Sequence, residues 1–288
     1  MRNVVRFLAV VLAVVSIVSV IGCSSGSKPS GSAKDRAVSM MKVLPANVSG
    51  FSYMDIYTLR TDANLASEWE ILMQQSNDSA VLKKINGLGL VYAESIALFV
   101  GDFSLEELTE VASNGSYEYG GFTVKTYGEN VSAALVNSVA INSLDDQIKR
   151  CIDVAKGTEA SMYGSEDLQA VLARLPEGYM MDAWVVGNET VPEGFEGLLA
   201  VAEITTRQGS DDMQTTVYKF NGSDAAQKYA VAANNASQDE SYNVAVTQDG
   251  AFVKVAATPV TATPTPAATV ALTPKPTATP VVTVTPTP

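Results

Sequence analysis

The chain has 288 residues, with 31 acidic side chains against 19 basic ones and no histidine. This acidic balance disfavours nucleic acid and anionic lipid headgroups, which need a basic face to displace counterions. The missing imidazoles exclude histidine triads, histidine metal sites and histidine haem ligation as usually built.

Arg2 and Arg6 precede an uncharged run from Phe7 to Gly22 rich in Val, Leu, Ile and Ala, the basic and apolar parts of a secretory signal. From Phe7 to Ile21 the run reaches only about 22 Å at ~1.5 Å per residue, short of the ~30 Å hydrocarbon layer. It ends in Val20-Ile21-Gly22-Cys23, followed by Ser24-Ser25-Gly26-Ser27. This stretch resembles the lipobox of bacterial lipoproteins, with an apolar residue three before the cysteine and a small one directly before it. The resemblance implies that residues 1–22 are a signal peptide cut before Cys23, and that the Cys23 thiol carries a diacylglycerol. Each buried methylene adds ~0.8 kcal/mol to such an anchor. Loss of Arg2 and Arg6 leaves 17 of the 19 basic side chains against 31 acidic ones, a net charge of −14. With Cys23 acylated, Cys151 is the remaining thiol and no intramolecular disulfide can form.

Residues 23–33 read as a lipidated Ser/Gly tether, and residues 34–257 as the folded ectodomain. Leu44-Pro45 leads into an alternating strand pattern over Gly50 to Tyr57. A helix follows over Leu65 to Gln75, with Trp69 as a core or rim anchor. Ser95 to Phe103 is apolar without alternation, as in a strand covered on both faces. Ser104 and Glu107 form a capping box, so Glu106, Glu107 and Glu110 serve a first helical turn and a solvated face. Tyr119-Gly120-Gly121 introduces a strand from Phe122 to Tyr127, and Ala133 to Ile141 gives another. A second capping box at Ser143-Leu144-Asp145-Asp146 starts a helix that stops at Gly157. On it Leu144, Ile148, Cys151, Ile152 and Ala155 share one face, which makes Cys151 a core residue rather than a catalytic thiolate.

Leu175-Pro176 followed by Tyr179-Met180-Met181-Asp182 echoes Leu44-Pro45 followed by Tyr53-Met54-Asp55, pointing to two related halves with a sub-boundary near 168–176. Strands over Ala183 to Val186, Leu198 to Gln208 and Thr215 to Phe220 follow, the last two joined by a Gly209-Ser210-Asp211-Asp212 turn. Ser223 to Asn234 reads as a helix, and Tyr242 to Val246 pairs with Ala251 to Val255 through Gln248-Asp249-Gly250. Runs of strands with helices between them, and no regular βαβ alternation, predict an α+β fold of mainly antiparallel sheet with packed helices. From Thr258 to Pro288 the composition becomes Thr, Pro, Ala and Val, a disordered, extended tail.

Leu44-Pro45-Ala46, Gly101-Asp102-Phe103 and Tyr119-Gly120-Gly121 resemble features of uncharacterised exported lipoproteins, a resemblance that implies no activity. Asn47, Asn77, Asn114, Asn130, Asn188, Asn221 and Asn235 each open an Asn-x-Ser/Thr sequon and are candidate glycosylation sites.

These readings favour a lipid-anchored, extracytoplasmic surface protein, a non-catalytic binding or structural module of the cell envelope. Its expected partners are the membrane, through the N-terminal lipid, and a cell-wall or surface-layer component, with no nucleic acid, cofactor or metal. One alternative is a carboxylate-dependent hydrolase, for which Asp102, Asp182, Asp211 and Asp212 are the candidates. Asp211 and Asp212 also fit as solvent-facing turn residues. Another is capture of a small ligand or peptide in a groove lined by Tyr117, Tyr119, Phe122 and Tyr127.

Overall fold

Twelve strands are drawn into one antiparallel sheet by alternating apolar side chains that must be covered on both faces. The computed structural model describes residues 29–260 apart from 49, 77–79, 109–112, 128–129, 188–190, 192 and 237–240. The strands are β1 (Phe51–Met54), β2 (Ile85–Val91), β3 (Ile96–Gly101), β4 (Gly115–Tyr119), β5 (Phe122–Tyr127) and β6 (Val131–Val136). The rest are β7 (Val139–Leu144), β8 (Met180–Val185), β9 (Leu198–Gln208), β10 (Asp211–Phe220), β11 (Tyr242–Asp249) and β12 (Phe252–Pro259). Their spatial order is β11-β12-β10-β9-β8-β1-β2-β3-β7-β6-β5-β4. Helices α1 (Ala33–Met41), α2 (Ile56–Thr61), α3 (Ala66–Gln75), α4 (Leu105–Leu108), α5 (Asp145–Ala155), α6 (Glu166–Leu172) and α7 (Ser223–Ala236) cover it. The fold is α+β, with sheet dominant.

One face packs Phe51, Tyr53, Leu98, Ile141, Met181, Ala202 and Ile204 under α1, α5 and α6 in the largest core. Gly89 lets α1 approach: a Cβ there would lie 2.6 Å from Met40 Sδ and 2.7 Å from the Phe51 ring. The opposite face is covered in two separate places. Helices α2 and α3 bury Met54, Leu88, Leu90, Ala97 and Phe99, while α7 buries Val201, Phe220 and Val253. Between these two covers the strands carry polar side chains.

Strand β1 pairs with β8, so the strands before and after residues 168–176 belong to one sheet. Several sequence expectations shift. Residues 29–33 are not all tether: Ser32 caps α1 in a reciprocal box with Asp35, so folded structure begins there. The strand pattern after Gly50 ends at Met54, because Asp55 caps α2 by accepting from the Thr58 amide. The segment over Ala133 to Ile141 is two strands, since Asn137 and Ser138 adopt φ of +49° and +67° and form a hairpin turn. Leu144 rather than Ser143 precedes α5 and makes no side-chain cap bond. Leu144 is exposed and lies off the Cys151 face. Strand β10 begins at Asp211, which shortens the turn to Gly209-Ser210. Strand β12 reaches Pro259, pairing Thr258 with Asn243 and Pro259 with Tyr242, so the ordered region passes the expected boundary at 257. Residues 261–288 of the tail lie outside the described residues.

Candidate functional site

The uncovered strip begins with register. Ser52 on β1 sits opposite Leu90 on β2 and Asp182 on β8; Asp182 faces Glu203 on β9, and Glu203 faces Thr216 on β10. All four polar residues therefore share one row and one face of the sheet. Ser52 donates its hydroxyl hydrogen to Asp182 Oδ1, and Thr216 Oγ1 donates to Glu203 Oε2 at 2.8 Å. Burial raises the Asp182 carboxyl above the usual carboxylate range, opposed only by the Ser52 hydrogen bond. Burial raises Glu203 as well, with the charge of Asp182 adding to the rise.

Beside this row, Gly50 just before β1, Tyr92 just after β2 and Trp184 on β8 line one pocket. Gly50 contributes no side chain to that pocket. The result is a slot of about 180 Å³ lined by Gly50, Ser52, Tyr92, Asp182 and Trp184. Both rings are open to solvent, Tyr92 at 47% and Trp184 at 41%. Burial lifts the Tyr92 phenol and the Asp182 charge adds to this, while a hydrogen bond with Ser52 opposes it. Tyr92, Ser52 and Asp182 thus form one connected polar floor.

A larger, polar cleft of about 530 Å³ lies beside α1, lined by Gly31, Asp35, Arg36, Ser39, Asn86 and Asp102 among others. Its Arg36 is already committed. Nε and Nη2 donate to Asp55 at 2.8 and 2.9 Å, and Nη1 donates to the Gly31 carbonyl at 2.8 Å. Asp55 also accepts from Tyr53 Oη at 2.6 Å and from the Thr58 amide at 3.0 Å. Burial pulls the Arg36 guanidinium down, and Asp55 overrides that to hold it above its ordinary value. This network anchors α1 to the start of α2. Its groups are satisfied by one another.

Of the acidic residues read as hydrolase candidates, only Asp182 lies in the aromatic slot. Asp102 is exposed on the rim of the other cleft. Asp212 is not a bare turn residue, because it accepts from Tyr179 Oη at 2.9 Å and from Arg207 Nη1 at 2.8 Å, and Arg207 also pairs with Glu68. The aromatic groove does not form. Tyr117, Tyr119 and Phe122 pack toward α5, with Tyr117 Oη bonded to Asp145 and Tyr119 Oη to Asp153, while Tyr127 is buried in a separate cluster with Leu105 and Ala133. Cys151 is fully buried and its thiol is pushed up to about 12 by burial.

Cys23, Asn77 and Asn188 lie outside the described residues. Asn47, Asn114, Asn130, Asn221 and Asn235 are all exposed, although Asn47 bonds Arg150 and Asn221 packs on Gly197. Among the described residues no cluster of three or more Cys, Asp or Glu is placed to hold a metal ion, and no helix is long and apolar enough to cross a membrane. Ser52, Gly50, Tyr92 and Glu203 were missed from sequence. The available signal was an acid at the centre of the β9 alternation, where an apolar residue would fit the pattern.

No protein-family model matches the chain. It is similar to the uncharacterised protein MJ0635 of Methanocaldococcus jannaschii, 24% identical over 192 residues, a span that covers 60% of this chain and 65% of that one, just under two thirds of the relative's length. Among solved structures, crystal form III of TP0453 aligns with 76% of this chain and 93% of its own at 8% identity and a TM-score of 0.47. Crystal form IV gives 92% of its own length and a TM-score of 0.46.

Proposed function

We propose that this protein is a lipid-anchored, extracytoplasmic module of the cell envelope that binds a ligand on the uncovered strip of its sheet, without catalysis. The observation that carries the binding reading is the slot between Tyr92 and Trp184, two large rings left open to solvent beside a partly buried carboxylate. Pockets of this kind combine apolar walls with a few fixed polar groups. A hydrolytic pair would need a second carboxylate open to the slot, whereas Glu203 stands one strand beyond Asp182 and is held by Thr216.

The anchor rests on the Val20-Ile21-Gly22-Cys23 motif and on the short chain between Cys23 and the cap of α1 at Ser32. Nine residues extend at most about 30 Å, which keeps the sheet close to the lipid surface. From the β1–β8 seam outward the first five strands on each side follow one order, β1-β2-β3-β7-β6 and β8-β9-β10-β12-β11, with β5 and β4 added beyond the first set, and each set is preceded by a helix and a Leu-Pro pair, as expected of an internal duplication. The Thr/Pro-rich segment beyond β12 carries the contact with a wall or surface-layer component.

Mass analysis of the mature N-terminus tests the anchor. The expected product is a chain beginning at an acylated Cys23, with Cys23→Ser released from the membrane fraction. A mature chain starting elsewhere and unmodified refutes it. Incubation with chromogenic glycosides and peptides tests the absence of catalysis, and turnover lost in Asp182→Asn would replace the binding reading with the hydrolase one.

A further inference from the structure

We propose that the slot between Tyr92 and Trp184 binds a compact organic ammonium group, seated between two aromatic faces and above the Asp182 carboxylate. The assignment rests on the binding reading above and names its ligand class.

The first observation is shape. Gly50 brings no side chain to the slot, and a Cβ there would meet nothing closer than the Ala183 carbonyl at 3.8 Å. Tyr92, just after β2, and Trp184 on β8 both line this slot, whose volume of about 180 Å³ admits a methylated ammonium beside the two rings. Aromatic faces attract cations within about 6 Å of the ring centroid.

The second observation is the inventory of polar groups. The lining side chains offer the Asp182 carboxylate, the Trp184 indole N–H and two hydroxyls, of which that of Ser52 already donates to Asp182. A sugar needs donors and acceptors in comparable number, and this slot presents few donors. A bare divalent cation needs about six oxygen ligands, more than the slot supplies.

The third observation is charge compensation. Asp55 has Arg36, Asp145 has Lys149, Glu159 has Arg150, Asp167 has Lys219 and Asp212 has Arg207, whereas Asp182 and its row neighbour Glu203 have hydroxyl partners alone. Asp182 has the Ser52 hydroxyl, and no basic side chain contributes to holding its charge. Carboxylates kept from water are ordinarily paired. An ammonium group in the slot supplies the missing partner.

The groups facing Asp182 are Ser52 from β1, Glu203 from β9 and Tyr92 beyond β2. Burial holds both acids above the ordinary range. Lowering the pH therefore protonates Asp182 while its ligand is still charged, and binding weakens as pH falls through that raised value.

The chain contains two tryptophans, Trp69 and Trp184. In full-length protein carrying Trp69→Phe, held in a polyoxyethylene detergent, the remaining emission comes from the slot. Titration with tetramethylammonium chloride is expected to give a saturable spectral change at roughly millimolar concentration, as two cation–π contacts allow. Asp182→Asn should weaken it on the order of tenfold, and Gly50→Leu, which fills the slot without touching the core, should abolish it. If Trp69→Phe does not fold, calorimetric titration of the unaltered chain reads the same binding.

An equal response to the uncharged isostere 3,3-dimethyl-1-butanol would overturn the assignment. So would saturation by methyl glucoside without a response to tetramethylammonium, or no saturable response to any of them. Free choline and phosphatidylcholine vesicles separate the two sources of the group: binding of free choline supports a soluble ligand, and binding of vesicles alone supports a lipid headgroup. Cys23→Ser is expected to leave the tetramethylammonium titration unchanged, so a failed anchor and a failed slot give different results.

Discussion

At the level of single residues, the cost of an unmatched charge separates the two acidic centres. Asp55 is fully buried and accepts from Arg36, Tyr53 and Thr58, so removing it strands a guanidinium that is itself buried. Asp55→Ala should lower stability by about 3–5 kcal/mol, and the double variant Arg36→Met, Asp55→Asn should recover much of that loss in urea titrations. A double variant as unstable as the single one would contradict this account. Asp182 behaves in the opposite way. Its folded pKa is raised, so the native state holds its proton more tightly than the unfolded chain, and stability falls as pH rises from the ordinary carboxylate range through the raised value. Asp182→Asn should therefore melt at a higher temperature than the unaltered protein at pH 7, with the difference closing below about pH 4. An unchanged melting temperature at pH 7 would show that the carboxyl is not strained by burial. Both acids stand in the sequence. The partners that distinguish them do not, because Arg36 and Ser52 reach them through tertiary contacts.

At the level of elements, local pattern was legible where a chain segment decides its own geometry. The Ser104–Glu107 box, the stop at Gly157 and the β11–β12 hairpin all follow from neighbours in sequence, and all are present. The losses came where a few residues override an apolar run. Asn137 and Ser138 turn back a stretch whose hydrophobicity alone reads as one strand. Helix α1 lies almost wholly inside the expected ectodomain but has no helical signature of its own, because its buried face of Ala37, Met40 and Met41 is small beside the Ser/Gly run before it. That helix depends on a close approach to β2. Gly89→Ala should cost about 1–3 kcal/mol through the contact with Met40 and Phe51, measured as a lower urea midpoint with an unchanged slope. A neutral result would mean that α1 can shift outward freely.

At the level of the whole molecule, the largest core joins Phe51 and Tyr53 from one half of the sheet to Met181, Ala183, Ala200 and Ile204 from the other. Calorimetry should therefore show one cooperative transition, with calorimetric and van't Hoff enthalpies in agreement, whereas two resolved transitions would mean that the halves fold independently. The aromatic slot belongs to this scale too. It is assembled from residues near 50, 92 and 184, and the strand order that brings them into one pocket is a property of non-local pairing that no window of sequence contains. The central seam has a further consequence for the order in which the chain folds. Strands β1 and β8 pair Phe51 with Ala183, so their union must close a loop of well over a hundred residues, while β4–β5, β6–β7, β9–β10 and β11–β12 need only short turns. Loop closure is entropically unfavourable before any contact rewards it, which places the hairpins early and the seam late. During synthesis, β1 then waits as an open edge until β8 emerges, and that interval is when the chain is most exposed to pairing with another copy of itself.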